Sequence, residues 1–100
     1  MFGDMLSKLQ EAQQKMQESK QKLADVIVDG EAGNGTVKVS VTGNREVKTL
    51  SIDTQLLAPD RKEELEDLLI TALNRALKSA EQSWEVEMKG VAGGMLGGLV

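Results

Sequence analysis

The longest regular pattern of apolar and polar positions occupies the first 26 residues. Phe2, Met5, Leu9, Ala12, Met16, Ser19, Leu23 and Val26 recur at alternating steps of three and four, the spacing of a helix with a narrow apolar stripe and a single polar interruption at Ser19. A long first helix is predicted. The β-branched run Val26-Ile27-Val28 predicts passage into a first strand, after which Gly30, Gly33, Asn34 and Gly35 predict a loop. Val37, Val39 and Val41 alternate with Lys38, Ser40 and Thr42, the two-residue period of a strand with one buried face. Thr42-Gly43-Asn44-Arg45 supplies a tight turn, and Glu46 to Ile52 a third strand. Val47 is out of phase with Leu50 and Ile52, so a bulge near Lys48-Thr49 is needed to bring all three to one face.

Beyond Asp53 and the single proline, Pro59, an Asp60/Glu63 pair has the spacing of a helix capping box. A second helix follows, with Leu65, Leu68, Leu69, Ala72, Leu73, Ala76, Leu77, Ala80, Trp84 and Met88 on a stripe broad enough to pack on a sheet. Glycines 90, 93, 94, 97 and 98 each disfavour a helix by about 1 kcal/mol. The expectation is an α+β chain: long N-terminal helix, three-stranded antiparallel meander, long C-terminal helix. One domain covers 1–89 and a flexible glycine-rich tail covers 90–100.

Lengths bear on assembly. A helix from Phe2 to Asp25 is about 36 Å long, whereas a seven-residue strand spans about 23 Å, so apolar stripe must overhang the sheet. An overhang of this kind is rarely left to water. A homodimer is expected, with Met5, Leu9, Met16, Leu23, Leu73, Leu77 and Trp84 at the contact. Composition agrees, since two aromatic residues among 100 make a thin core.

Candidate chemistry narrows the function. There is no His, Cys or Tyr, which removes the usual imidazole bases, thiol nucleophiles and nitrogen or sulfur metal ligands. No catalytic residue, metal, cofactor or small-molecule substrate is expected. The loop from Gly30 to Thr36 fits neither phosphate-binding template, because no Gly-Lys-Ser/Thr follows and Lys38 stands where the third dinucleotide glycine belongs. Neither a secretory leader nor a membrane-length apolar run is evident, so a cytoplasmic address without membrane contact is expected. Lys8, Lys15 and Lys22 fall seven apart on the first helix, each four residues after an acid, Asp4, Glu11 or Glu18. They are either a phosphate-contacting ridge or an ion-paired solvated face, and the balance of four lysines against four acids in residues 1–28 favours the second reading.

The order of features resembles a known family. A Met-Phe-Gly start, the segment from Leu9 to Gln17 rich in Gln, Lys and Met, and the Gly30-Glu31-Ala32-Gly33-Asn34-Gly35 loop come first. Val37-Lys38-Val39, Thr42-Gly43-Asn44, Ile52-Asp53, Leu56-Leu57 and Leu65-Glu66-Asp67-Leu68 follow in turn. This set, spread over nearly the whole chain, is similar to the YbaB/EbfC family of bacterial nucleoid-associated proteins. The resemblance implies a tweezer-like homodimer that binds duplex DNA at the nucleoid with little sequence specificity. The helix-borne Lys8, Lys15, Lys20, Lys22, Arg75 and Lys78 would then contact DNA. The alternative from the residues themselves is a dimeric protein-interaction module, suggested by the methionines of the first stripe.

Overall fold

The computed structural model describes residues 2–97. The three-and-four periodicity of the N-terminal segment forms α1 (Phe2–Ala24). It is followed by β1 (Ile27–Ala32), β2 (Val37–Thr42), β3 (Val47–Ile52), two short 3-10 turns over Thr54–Leu57 and Pro59–Arg61, and α2 (Lys62–Gly97). The strands form an antiparallel sheet in the order β1-β2-β3, the meander that short connections favour.

Register explains which residues meet. Val37, Val39 and Val41 on β2 lie opposite Ala32, Gly30 and Val28 on β1, and opposite Ile52, Leu50 and Val47 on β3. Residues directly opposite share a face, so all nine belong to the side on which α2 lies. Pairing slips between Ser40 and Val41, because Ser40 faces Thr49 and Val41 faces Val47. Lys48 is therefore the extra residue of a β-bulge, and the bulge restores Val47 to the face of Leu50 and Ile52.

Two expectations about glycine are corrected. Gly30 does not break the chain but sits within β1, beneath α2. A Cβ there would collide with the Ala72 carbonyl oxygen and the Ala76 nitrogen and lie 2.9 Å from the Ala76 Cα. The missing side chain is what lets the helix settle on the sheet. The turn falls instead at 33–36, where Gly33, Asn34 and Gly35 take φ of 62°, 56° and 83°. At the other end, α2 continues as helix through Gly90, Gly93 and Gly94 to Gly97, while residues 98–100 of the expected tail lie outside the described residues. Extending an existing helix avoids the unfavourable nucleation step, and no proline interrupts it.

The start of α2 also differs from expectation. It begins at Lys62, after a 3-10 turn opened by Pro59 without a side-chain cap; the capping carboxylate in this stretch is that of Asp53, which accepts from the Gln55 amide at 2.9 Å at the head of the preceding 3-10 turn, Thr54–Leu57. The core is small. Val37, Val39, Val41, Ala32 and Leu56 are buried together with Ala72, Ala76 and Ala80 of α2, and Leu65, Leu68, Leu69, Leu73 and Leu77 pack around them.

Candidate nucleic-acid interface

Beyond the sheet, α1 and the end of α2 form an arm. Ser19 Oγ donates to Glu87 Oε1 at 3.1 Å, and Lys22 Nζ lies 3.4 Å from Glu87 Oε2. The one polar residue in the α1 stripe is thus buried and bonded across the helix pair, a use of polar residues that fixes register. The two helices border a cleft of about 410 Å³ beside this bond, with Lys15, Glu18 and Lys22 on one wall and Val86, Gly90 and Val91 on the other. A Cβ placed on Gly90 or Gly93 would meet nothing within 4 Å, so these glycines do not mediate close helix contact. The molecule measures 68 × 19 × 18 Å as a result.

The candidate cations fall into two groups. Lys8, Lys15 and Lys20 are exposed along α1. Lys22 joins them but is drawn to Glu87. On α2, Arg75 is tethered to the sheet through an Nη1 bond to the Glu31 carbonyl at 2.8 Å, and Lys78 is exposed one helical turn further on. The structure does not gather all six into one patch.

The expected ion pairs along α1 are not formed. Among the described residues the side-chain ion pairs are Lys22–Glu87, Arg61–Glu64 and Lys62–Glu66, and none joins Asp4 to Lys8, Glu11 to Lys15 or Glu18 to Lys22. Exposed pairs are worth only tenths of a kcal/mol and restrict two long side chains, so Lys8, Lys15 and Lys20 stay in solvent with their charge uncompensated at contact distance. Residues 53–67 hold six acids and two bases. Since the whole chain has 16 acids and 12 bases, this segment carries the entire net charge of −4, and the remainder is balanced at ten each. It adjoins the Val37 end of β2, where the Asp53 amide donates to the Thr36 carbonyl at 2.8 Å. The arm leaves from the Thr42 end, where Gly43 meets Leu23. The acidic segment 53–67 and the arm stand at opposite ends of the sheet.

An apolar face lies open between them. Val47 and Leu50 point to the helix side of the sheet yet are 56% and 51% exposed. On α2, Arg75 marks the side nearest β1. At 100° per residue Leu73, Leu77 and Trp84 fall on the opposite flank, toward β3, with Ile70 beside them. Ile70 and Trp84 are exposed there, at 58% and 41%, while Leu73 and Leu77 are partly covered by the core. Met5, Leu9 and Met16 are also exposed on α1, but Leu23 is buried against its own Gly43. Val47, Leu50 and Ile70 were not among the residues expected at a contact. Geometry alone could have found them, because a helix about 10 Å wide spans two strands spaced about 4.8 Å apart and leaves a third bare.

Comparison with known proteins points in one direction. The sequence profile of the YbaB/EbfC DNA-binding family matches residues 1–95. A nucleoid-associated protein of Chlorobium luteolum is 40% identical over 95% of this chain and 85% of its own length. Another from Flavobacterium johnsoniae is 42% identical over 88% of this chain and 81% of its own. In structure, the chain is similar to an uncharacterized protein from Helicobacter pylori, with a TM-score of 0.75 and 29% identity over 96% of this chain and 97% of that one.

Proposed function

The chain belongs to the YbaB/EbfC DNA-binding family, and from that premise we propose that it binds duplex DNA as a homodimer with little sequence specificity, within the cytoplasm at the nucleoid. The consequence would be a change in nucleoid organisation or gene expression. The observation that carries the reading is the placement of charge on α1: Lys8, Lys15 and Lys20 are exposed there with no carboxylate within ion-pair distance among the described residues, while the acidic segment 53–67 lies at the opposite end of the sheet. A polyanion is repelled from the acidic segment and meets four lysines against three acids along α1. Lys8 and Lys15, seven residues apart on one helix edge, suit phosphates, which carry no base identity. Lys22, Arg75 and Lys78 would add contacts, Lys22 by exchanging Glu87 for phosphate.

Dimerisation is supported by the open face of β3 and α2. Val47, Leu50, Ile70, Leu73, Leu77 and Trp84 would be covered by a second copy, and Met5, Leu9 and Met16 would extend the contact along the arms. Leu23 already has its partner within the chain. Fluorescence anisotropy of a duplex titrated with protein at several salt concentrations tests the reading. Binding should weaken on a log–log plot with a slope near −0.9 for each phosphate neutralised. Absence of binding at about 50 mM salt with protein above 10⁻⁴ M, the weak end of nonspecific affinity, overturns it. The exposed methionines of the arm favour a second reading, a dimer that captures another protein. A specific protein retained after nuclease treatment, with no DNA binding, selects that one. Among the described residues, no helix is long and apolar enough to cross a membrane.

A further inference from the structure

The turn between β2 and β3 carries backbone tension and positive charge together. Arg45 has φ of 68°, whereas its neighbours Gly43 and Asn44, which would adopt that left-handed conformation more easily, do not take positive φ. The surroundings hold it there. The Arg45 amide donates to the Thr42 carbonyl at 2.9 Å, and the buried Thr42 hydroxyl accepts from the amides of Asn44 and Glu46, both at 3.2 Å. Gly43 donates to the carbonyls of Leu23 and Val26 at 3.0 and 2.9 Å, and Asn44 Nδ2 donates to the Lys20 carbonyl at 2.8 Å. A Cβ on Gly43 would sit 2.9 Å from the Leu23 oxygen, so only glycine permits the approach. The turn is therefore fastened to the root of α1, next to Lys20.

We propose that this turn is a DNA-backbone contact separate from the Lys8–Lys15 edge of α1, in which the Arg45 guanidinium and the Lys20 ammonium bind neighbouring phosphates where arm joins body. The inference rests on the DNA-binding function proposed above and adds a site to it. Both side chains are exposed, and neither has a carboxylate within 4.0 Å among the described residues, although Glu46 and Asp25 are close in sequence. Lys48, the bulge residue of β3, adds a third cation beyond the turn. Arginine presents a planar fork that bonds phosphate in bidentate fashion, and a platform already immobilised loses little further freedom when it binds. Strained backbone held by several bonds is a feature of functional sites. The competing explanation is structural, since cations near the end of α1 complement its dipole.

The full-length protein is titrated against a duplex by anisotropy at four or more salt concentrations. Arg45→Gln and Lys20→Gln should each reduce the slope of log K against log salt by about 0.9 for every phosphate contact removed, while Arg45→Lys retains most of it. Arg45→Gly should show the same loss of slope with an unchanged or higher melting temperature, because glycine accepts positive φ without penalty. Lys62→Gln, at the acidic pole, controls for bulk charge and should leave the slope unaltered. Four outcomes overturn the proposal: an unchanged slope for Arg45→Gln with normal wild-type binding; an equal fall for Lys62→Gln; a lower melting temperature without a change of slope; or loss of the dimer by light scattering. In each of these the family function stands. Wild-type protein that fails to bind DNA at all removes both.

Discussion

Two halves of one sheet face have opposite fates. On β1 and β2 the helix-side residues Ala32, Val37, Val39 and Val41 are buried, whereas on β3 their cross-strand neighbours Val47 and Leu50 are more than half exposed. Composition does not separate them, since both sets are aliphatic. What separates them is Gly30, which lets the alanine ridge of α2 sink onto β1 and so draws the helix away from β3. Burial in this chain is decided by where the smallest residues admit the helix, and the strand left over is available to another molecule.

Substitutions can break or sharpen that contrast. Gly30→Ala places a methyl group against the backbone of Ala72 and Ala76 and should have the largest effect, a loss of about 3 kcal/mol in urea denaturation. Leu50→Lys should leave far-UV circular dichroism of the folded chain intact while halving the mass seen by light scattering. A dimer that survives it places the subunit contact elsewhere. Val39→Ala, removing buried methyl groups, should cost about 2 kcal/mol, whereas Leu50→Ala should cost the isolated fold much less. Ser19→Ala, which deprives Glu87 of a donor between the arm helices, should cost about 1 kcal/mol. The smallest effect belongs to the acidic pole. The hydrogen bond from Arg61 holds the Glu64 carboxyl below its ordinary 4.5. A depressed carboxyl stabilises the fold above that value and loses its contribution as pH falls below it. Glu64→Gln should therefore flatten only the acid side of a stability profile, detectable as a slightly shallower fall below pH 4.5.

Periodicity made the elements legible, and even the bulge at Lys48 followed from the phase of Val47 against Leu50 and Ile52. Gly30 was misread because a glycine that breaks a strand and one that admits a helix look alike until the facing element is known. The α1 acids and lysines had the spacing of ion pairs, but spacing does not overcome the entropy of exposed side chains. Glu87, which Lys22 meets instead, lies 65 residues away in sequence, a distance at which local pattern carries no information. Val47 and Leu50 read as residues of the buried face, and Ile70 fell outside the apolar stripe of the second helix. That α2 covers only two strands is a matter of widths, which no alternation of residue types encodes.

The extended arm also affects how this protein travels in solution. Its radius of gyration is 19.3 Å, against about 13 Å for a rounded chain of 100 residues. A single copy must elute from a sieving column ahead of spherical standards of equal mass and mimic something heavier. Counting subunits therefore requires a method blind to shape, such as sedimentation equilibrium.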